Sequence, residues 1–552
     1  MDGSPSEDPL IEPRLLALLK LVSPLYAICP FAPAWATLVK LALGDGYVIE
    51  AGPTGATVVV FPRNLALLWG LLEEGLAGVA RRLQRGVVGT AEELELYRGA
   101  ALVGLWAEFA PDLQRMIDED LVEASFWDRF LDRYRFLFGS LSLPVPKPGH
   151  LLAFYYQAWR AWYFCAKYVL GWSPSAVRAR RDIWHANMAV DICVYATHLY
   201  RQMDDVPVLI TGPTGSGKEL AARCIAWARY IPFDPETRRF ARRYHEDFHV
   251  RNLCAVPAEL VESELFGHVK GSFTGATADK KGLFGLSRIH GTLFFDEIGE
   301  LSLLLQAKLL RPFQGREYMP VGGHDQRILL GRLIFATNRD LEAECAAGTF
   351  RLDLFERMNG IRIQMPSLRT MLKEMPRELH RYVRAFVGEK LDDPVQVEAL
   401  AERVVATIRP ELPWDGNLRE LKRYTERVLL GGGVASAPEP ESVPLSAPLS
   451  APVAAGQSET QSRPKKTSRP PPGSAAAPMS MCAPSSGILG PEAKAGRVSA
   501  DAAIKALVAW VHVHNGENVA QTARITKLDR RTVTRLLDPE RVARLRKRRL
   551  KR

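Results

Sequence analysis

The sequence has few cysteines, and none of them lies in the spacing that a metal site or a disulfide framework needs. The seven cysteines of the 552-residue chain are scattered, with no CxxC pair and no cysteine–histidine cluster. Such spacing brings ligands or thiols together, so its absence argues against a structural zinc site and against a disulfide-rich secreted fold. We therefore expect reduced thiols in a cytoplasmic protein.

Long apolar runs are also lacking. The most apolar stretches, residues 15–43 and 159–172, are interrupted by charged residues and prolines, whereas a membrane-spanning helix needs about 20 consecutive apolar residues. Residues 4–12 are acidic and contain proline, unlike the basic and then apolar start of a signal peptide. The sequence therefore predicts neither a membrane span nor a signal peptide.

What the chain does contain is the composition of a soluble protein with several domains. Apolar residues make up 47% of the chain and charged residues 24%, which is typical of globular proteins. The length corresponds to about three or four domains. The net charge of +10 hints at an anionic partner, although net charge constrains the fold very little.

A glycine-rich loop after an apolar run is the first feature with a clear chemistry. Residues 206–210 are apolar, and the loop that follows them ends at Lys218. A strand, a glycine-rich turn and a helix form a phosphate-binding loop, in which backbone N–H groups and the helix N-terminus surround an anion. Glu219 stands where such loops usually carry Ser or Thr. The predicted nucleotide-binding residues of the loop are Gly212, Pro213, Thr214, Gly215, Ser216, Gly217, Lys218 and Glu219.

A second apolar segment ends in two acids. Residues 291–297 read G-T-L-F-F-D-E, which is the pattern of the strand that completes the site of a P-loop ATPase. We expect Asp296 to hold Mg²⁺ and Glu297 to polarise the water that attacks ATP. Because the phosphate-binding loop lies upstream, we favour this interpretation over a core strand with exposed terminal acids.

Between these two segments, residues 262–276 read E-S-E-L-F-G-H-V-K-G-S-F-T-G-A. This stretch closely resembles the signature ESELFGHxKGAFTGA of the bacterial enhancer-binding proteins, which are AAA+ activators of sigma-54 RNA polymerase. Only Ser272 departs from it, at a position where the family has alanine. The resemblance covers roughly residues 186–430 and the C-terminus. It implies an ATPase that assembles into a ring, expected to be a hexamer, binds upstream double-stranded DNA and remodels the closed complex of the sigma-54 RNA polymerase holoenzyme.

The loop within this signature has an unusual composition for a protein surface. Its glycines allow a sharp bend, and Phe273 places an aromatic side chain where exposure is uncommon. By resemblance, this loop is the tip that engages sigma-54, with Phe273 and Thr274 as contacts. The predicted sigma-54 contact residues are Gly271, Ser272, Phe273, Thr274, Gly275 and Ala276.

Five more site residues follow from the resemblance. Asn252 matches an asparagine that hydrogen-bonds the catalytic glutamate. Asn338 matches the first sensor of the γ-phosphate, and Arg419 matches the second sensor, which closes on the nucleotide from a lid. Arg351 and Arg357 fall in register with the arginine fingers, which reach the nucleotide of the neighbouring subunit. A guanidinium suits that role because it is always charged and can bind phosphate oxygens bidentately.

The region before the ATPase shows no recognisable sensor family. Apolar residues recur at three-to-four spacing over residues 65–83 and 91–109, which predicts helices. The alternating β/α pattern of a phosphoacceptor receiver is not seen. An aromatic cluster between residues 154 and 172 is interpreted as core, although it could also line a ligand pocket. An insertion rich in arginine and acids, residues 234–246, is interpreted by default as solvated.

The sequence thus predicts a multidomain protein with five parts. The first three are a mainly helical N-terminal regulatory domain at 1–183, an α/β AAA+ P-loop ATPase subdomain at 184–365 and a helical lid at 366–430. A disordered linker rich in Pro, Ala and Ser follows at 431–496. The last part, at 497–552, has helix-turn-helix spacing and a basic tail, and it resembles the Fis-type domain of the same family. The residues expected to contact DNA in the major groove are Arg530, Arg531, Thr532, Thr534 and Arg535.

Two other functions remain open at this point. The chain could be an AAA+ remodeller of another protein target that uses DNA binding only for localisation, although the F-T-G-A loop argues against this. It could also be a DNA-binding regulator with a vestigial ATPase module, although the full set of Lys218, Asp296, Glu297 and Arg357 argues against that. ATP and Mg²⁺ are the expected cofactors.

Overall fold

The computed structural model describes residues 9–48, 60–189, 192–391, 393–409 and 412–431, and three isolated positions at 519, 534 and 537. The predicted linker and helix-turn-helix therefore lie almost entirely outside the described residues. Within the described part of the chain, no helix is both long enough and apolar enough to cross a membrane.

The N-terminal region is helical, as the three-to-four spacing predicts. Its helices are α1 (Pro13–Val22), α2 (Pro33–Leu43), α3 (Val60–Gln84), α4 (Ala91–Asp118), α5 (Trp127–Phe138), α6 (Pro148–Tyr168) and α7 (Pro174–Met188). A capping box begins α4, because the Thr90 hydroxyl accepts the N–H of Glu93 and the Glu93 carboxylate accepts the N–H of Thr90. The same carboxylate accepts the N–H of Ile11 at 3.0 Å, so one side chain both caps a helix and holds the start of the described chain.

The aromatic cluster of α6 is packed as core. Tyr155, Tyr156 and Trp159 are fully buried. The Tyr155 hydroxyl donates to the carbonyl of Leu102 at 2.6 Å, and the Trp159 indole N–H donates to Gln114 at 2.9 Å. Buried aromatic side chains with satisfied polar atoms stabilise a core, so the structure supports the core interpretation of this cluster.

The strands among the described residues are β1 (Val208–Thr211), β2 (Phe233–Asp234), β3 (Arg239–Phe240), β4 (Phe248–Asn252), β5 (Thr292–Asp296), β6 (Glu317–Tyr318), β7 (Arg327–Ile328), β8 (Arg332–Thr337) and β9 (Ile361–Gln364). Five of them form a parallel sheet within residues 208–364, with the order β4-β5-β8-β1-β9. Both faces of the sheet are covered, as parallel sheets require. The carboxyl ends of β1, β5 and β8 meet at one edge, where α/β proteins bind ligands.

Helices cover the sheet and then form a separate lid. The helices of the α/β part are α8 (Ile192–Val194), α9 (Lys218–Trp227), α10 (Ala258–Phe266), α11 (Leu303–Gly315), α12 (Leu341–Ala346) and α13 (Leu352–Met358). The lid consists of α14 (Leu368–Glu374), α15 (Glu378–Gly388), α16 (Pro394–Thr407) and α17 (Asn417–Leu429), which enclose their own apolar core around Phe386, Trp414 and Leu421. These elements confirm the predicted α/β core and helical lid.

The N-terminal helices and the α/β part of the chain share one core. A continuous cluster of buried apolar side chains extends from Leu10 through Trp159 on α6 to Ile225 on α9 and Phe294 on β5. The ring of Phe164 on α6 packs edge-on against Trp227 at the end of α9, with centroids 5.2 Å apart. The N-terminal region is therefore packed into the same fold as the α/β part rather than attached to it by a flexible connection.

The insertion at residues 234–246 is more than the solvated loop expected from its composition. Its exposed turn joins β2 to β3, but the hairpin also binds the N-terminal helices. The N–H of Phe240 donates to the carbonyl of Val122 at 2.8 Å, and the N–H of Ala124 donates to the carbonyl of Arg238 at 2.9 Å. Arg238 also pairs with Asp128 of α5 at 2.9 Å. The insertion thus connects the two parts of the chain, which its charged composition did not reveal.

Candidate nucleotide-binding site

The glycine-rich loop has the backbone conformation that a phosphate-binding loop needs. Gly215 and Gly217 have φ values of 77° and 94°, which favour glycine because other residues are strained there. A side chain at Gly215 would also overlap the carbonyl oxygen of Gly416 in the lid. Gly217 precedes the first residue of α9, so the N-terminus of that helix faces the loop and favours an anion.

Lys218 is nearly buried at the floor of the loop. Its ammonium group donates to the carbonyl of Gly212 at 3.1 Å and lies 3.5 Å from a carboxylate oxygen of Glu297. The two sequence motifs, which are about 80 residues apart in the chain, are therefore side by side in the fold. This cation and the helix N-terminus together supply the positive charge that a polyphosphate requires.

Asp296 and Glu297 lie side by side at the end of β5. Burial, and then the negative charge of Glu297, raise the pKa of Asp296 above its ordinary value. Two adjacent carboxylates in a partly buried cavity are the hard oxygen ligands that a divalent cation prefers, so these residues fit the predicted Mg²⁺.

Asn252 lies beside these acids but differs from the expectation in its partner. Its amide N–H donates to Asp296 at 3.1 Å instead of to Glu297, and its carbonyl oxygen accepts the N–H of Cys254 at 3.0 Å. Residue Glu297 is instead held by Lys218 and by the backbone N–H of Asn338, which donates to it at 3.3 Å. In this structure Asn252 therefore orients the predicted metal ligand rather than the predicted catalytic carboxylate.

Asn338 stands between the acids and the loop. It follows β8 directly, and its side-chain amide donates to the hydroxyl of Thr214 at 3.0 Å. A polar side chain in this position can contact both the last phosphate of a bound nucleotide and the residue that activates water. Its role as a sensor of the γ-phosphate stays a prediction.

A cavity of about 630 Å³ joins these elements to the lid. Its volume is within the range of small-molecule sites. Arg419 and Lys422 of α17 line it from the lid, and Lys167 and Tyr168 line it from the end of α6. Sequence reasoning identified Arg419 but not the other three, because only the fold brings α6 and α17 to the same cavity.

The two predicted arginine fingers do not line this cavity. Arg351 and Arg357 are both exposed on or beside α13, and Arg351 forms an ion pair with Asp353 at 2.7 Å. Their placement leaves them available to a second copy of the chain and not to their own site.

The loop at residues 271–276 is a compact turn with an exposed tip. The N–H of Gly271 donates to the carbonyl of Ala276 at 2.8 Å, and the N–H of Ala276 donates to the carbonyl of Phe273 at 3.0 Å. Phe273 is 39% exposed, and Thr274 is exposed beside it. Ser272 turns inward, where a Cβ at Gly322 would contact it. Of the predicted DNA contacts, only Thr534 is among the described residues, where it is helical and exposed.

Residues 187–364 match the family model described as the Sigma-54 interaction domain. The regulatory protein AtoC of Escherichia coli (strain K12) is 39% identical over 241 residues, which cover 44% of this chain and 48% of AtoC. The DNA-binding transcriptional regulator NtrC of Rhizobium meliloti (strain 1021) is 36% identical over 224 residues, which cover 41% of this chain and 43% of NtrC. The chain thus spans less than half the length of either relative.

Among solved structures, NtrX from Brucella abortus is 19% identical with a TM-score of 0.36, and the match covers 74% of this chain and 79% of that chain. A likeness at this level supports no argument about function.

Proposed function

We propose that the chain, whose residues 187–364 match the family model of the Sigma-54 interaction domain, is a sigma-54-dependent transcriptional activator. In this proposal it acts in the cytoplasm, binds upstream DNA, assembles into a ring and uses ATP hydrolysis to remodel the sigma-54 RNA polymerase closed complex. The observation that carries the proposal is that one fold contains both a cavity lined by Lys218, Asp296 and Glu297 and the exposed turn at Phe273.

ATP would bind with its phosphates in the loop of residues 212–217. The backbone N–H groups, the N-terminus of α9 and Lys218 would neutralise the phosphate charge. Asp296 would hold Mg²⁺, which when bound supplies positive charge to the phosphates. Arg419 would approach the phosphates from the lid, and the base would lie toward Tyr168.

Hydrolysis requires a base beside the attacking water. The Glu297 carboxylate would accept a proton from that water while the oxygen of the water bonds to the γ-phosphorus. The bond between the γ-phosphorus and the bridging oxygen breaks at the same time, and ADP leaves. Asn338, hydrogen-bonded to both Glu297 and Thr214, would hold the γ-phosphate in place. Arg351 and Arg357 would come from the neighbouring subunit and stabilise the charge of the transferred group. A single chain would then be incomplete as an ATPase.

Contact with sigma-54 would be made by the turn at residues 271–276. Its compact hydrogen bonding presents Phe273 and Thr274 together, and an exposed aromatic on a glycine-flanked turn suits a protein contact. DNA binding would be supplied by Arg530, Arg531, Thr532, Thr534 and Arg535. The likeness of the chain to NtrC of Rhizobium meliloti, a DNA-binding transcriptional regulator, supports this part of the proposal.

The ATPase assignment is tested by Glu297→Gln. The variant should still bind ATP, since the loop and Lys218 are unchanged, but its turnover should fall about 100-fold or more. Glu300→Gln serves as the control, because Glu300 is exposed and pairs with Arg339. Normal turnover by Glu297→Gln would rule out the proposed catalytic role.

A further inference from the structure

The side chain of Asn417 connects three segments that meet at the nucleotide site. Its amide N–H groups donate to the carbonyl of Thr214 in the phosphate-binding loop at 3.0 Å and to the carbonyl of Asp415 at 3.1 Å. Its carbonyl oxygen accepts the N–H of Leu368, the first residue of α14, at 2.8 Å. Asn417 is only 3% exposed, so these hydrogen bonds form without competition from water.

The backbone at Asn417 is suited to this residue type. Asn417 is the first residue of α17 and has a φ of 53°, a conformation that asparagine adopts more readily than most residues with a side chain. The preceding Gly416 lies directly against Gly215 of the loop, where any side chain would overlap its carbonyl oxygen. The turn that begins α17 is therefore seated on the phosphate-binding loop.

Thr214 joins this contact to the catalytic residues. Its carbonyl accepts from Asn417, while its hydroxyl accepts from the side-chain amide of Asn338 at 3.0 Å. The N–H of Asn338 in turn donates to Glu297 at 3.3 Å. A continuous series of hydrogen bonds thus connects the predicted catalytic carboxylate to the lid.

Arg419 follows Asn417 by two residues in the same helical turn. Its Cβ would lie 3.2 Å from a Cβ placed on Gly215, and the side chain lines the nucleotide cavity. The position of the first turn of α17 therefore determines where the guanidinium of Arg419 can reach.

We propose that Asn417 is a positioning residue that holds the lid on the phosphate-binding loop and thereby places Arg419 at the nucleotide, with Thr214 joining this contact to Asn338. The inference rests on the proposed ATPase function and extends it to a residue with no direct contact with the reacting atoms. If Asn417 only stabilised the turn, its substitution would lower the stability of the protein, and its effect on ATP binding would not depend on Arg419.

The test is a double-mutant cycle in the full chain, with ATP affinity from a fluorescent ATP analogue and steady-state hydrolysis as readouts. Asn417→Gly keeps the backbone conformation accessible and removes the hydrogen bonds. We expect it to raise the KM for ATP about fivefold to tenfold. In an Arg419→Ala background the same change should add little further effect, because the residue whose position it sets is already missing.

Glu420→Ala is the matched structural control. It removes another hydrogen bond of the same turn, from the N–H of Gly416 to the Glu420 carboxylate at 2.8 Å, without touching the loop. Its effect on the KM should be small and independent of Arg419. Urea unfolding of each variant separates a loss of stability from a loss of positioning.

A second pair of variants tests the link to Asn338. Thr214→Val removes the hydroxyl acceptor but keeps the carbonyl, whereas Thr214→Ser keeps both. We expect Thr214→Val to lower kcat about fivefold and Thr214→Ser to restore it.

Two outcomes would overturn the positioning role of Asn417 without affecting the proposed function. In the first, the effects of Asn417→Gly and Arg419→Ala on the KM for ATP are additive. In the second, Asn417→Gly lowers the midpoint of urea unfolding but leaves the KM unchanged. A wild-type chain that binds no ATP would instead overturn the proposed function itself.

Discussion

Arg160 of α6 donates to the backbone carbonyl of Trp227 at 2.6 Å, so a side chain of the N-terminal helices closes the C-terminal end of the phosphate-loop helix α9. The same guanidinium donates to the carbonyl of Arg229 at 2.9 Å and to that of Tyr156 at 3.2 Å. Burial lowers the pKa of Arg160 to about 10, so it remains charged near neutral pH and suits the negative end of a helix dipole.

Arg160→Met should therefore destabilise the protein strongly. It removes the donor that Arg160 provides to the carbonyls of Trp227 and Arg229 at the end of α9, and we expect a loss of about 3 kcal/mol in the free energy of unfolding. The midpoint of urea unfolding measures this loss. Arg135→Met on α5, where the side chain is 68% exposed, should change the free energy by less than about 0.5 kcal/mol. Equal small effects of the two substitutions would show that α6 does not hold α9.

The ion pair of Asp204 with Arg229 should make the stability of the folded protein depend on pH in the acid range. Burial alone would raise its pKa, but the charge of Arg229 and hydrogen bonds from His290 and Arg229 outweigh burial and lower the pKa from 3.8 to about 2. A carboxyl whose pKa is lowered by folding stabilises the protein above its unfolded pKa, and this stabilisation is lost as the pH falls through the folded value.

The measurement compares the wild type with Asp204→Asn. At pH 7 we expect the variant to be about 2 kcal/mol less stable, and the difference should narrow as the pH falls from about 4 toward 2. A difference that stays constant over this window would contradict the role of Asp204.

Arg357 should act on the neighbouring subunit. Arg357→Ala and Glu297→Gln should each remove most ATPase activity. In a mixed ring, however, an Arg357→Ala subunit supplies Glu297 and a neighbouring Glu297→Gln subunit supplies Arg357, so the site between them has both residues. An equal mixture of the two variants should regain about a quarter of the wild-type activity per chain, because each residue is intact in half of the subunits. The mixture is compared with each variant at the same total concentration. No recovery after subunit exchange would contradict action between subunits.

Ser272 should be replaceable by the alanine of the family signature. Its hydroxyl is buried without a hydrogen-bond partner in the described part of the chain, so Ser272→Ala should stabilise the protein by about 1 kcal/mol. Activation of sigma-54-dependent transcription in vitro should remain within about twofold. Ser272→Val is the contrasting variant, because its extra atoms would meet Gly322, and we expect it to reduce activation. Loss of activation in Ser272→Ala would show that the hydroxyl itself is needed.

The sequence predicts the centre of the site well for a physical reason. The phosphate-binding loop follows β1 and the acids end β5, and both strands run parallel with β8 between them. Because parallel strands bring their carboxyl ends to one edge, Lys218 and Glu297 must meet. Local periodicity likewise predicts α3 and α4, and in α3 the buried residues Leu65, Leu68, Leu72 and Leu76 recur at three-to-four spacing.

Other features depend on contacts between distant parts of the chain and could not be predicted. Nothing near Arg160 in the sequence indicates that it contacts Trp227, 67 residues away. The charged insertion gives no sign that Phe240 binds Val122. The prediction that Asn252 hydrogen-bonds the catalytic glutamate is also wrong, because its partner is Asp296. Which of two adjacent carboxylates it contacts depends on their surroundings in the fold.

The proposed action on sigma-54 is tested most directly by asking whether the purified chain binds sigma-54 in a manner that depends on the nucleotide. Binding is measured without nucleotide and with ADP plus a metal fluoride, which mimics the transition state of phosphoryl transfer. Thr274→Ala tests the tip of the loop, and Thr277→Ala, which is exposed just outside it, is the control.

If the chain is a sigma-54 activator, a complex should form only with the transition-state mimic, and it should be lost in Thr274→Ala and kept in Thr277→Ala. Absence of a complex in both conditions, with ATPase activity intact, would contradict the sigma-54 activator and favour an AAA+ remodeller of another protein.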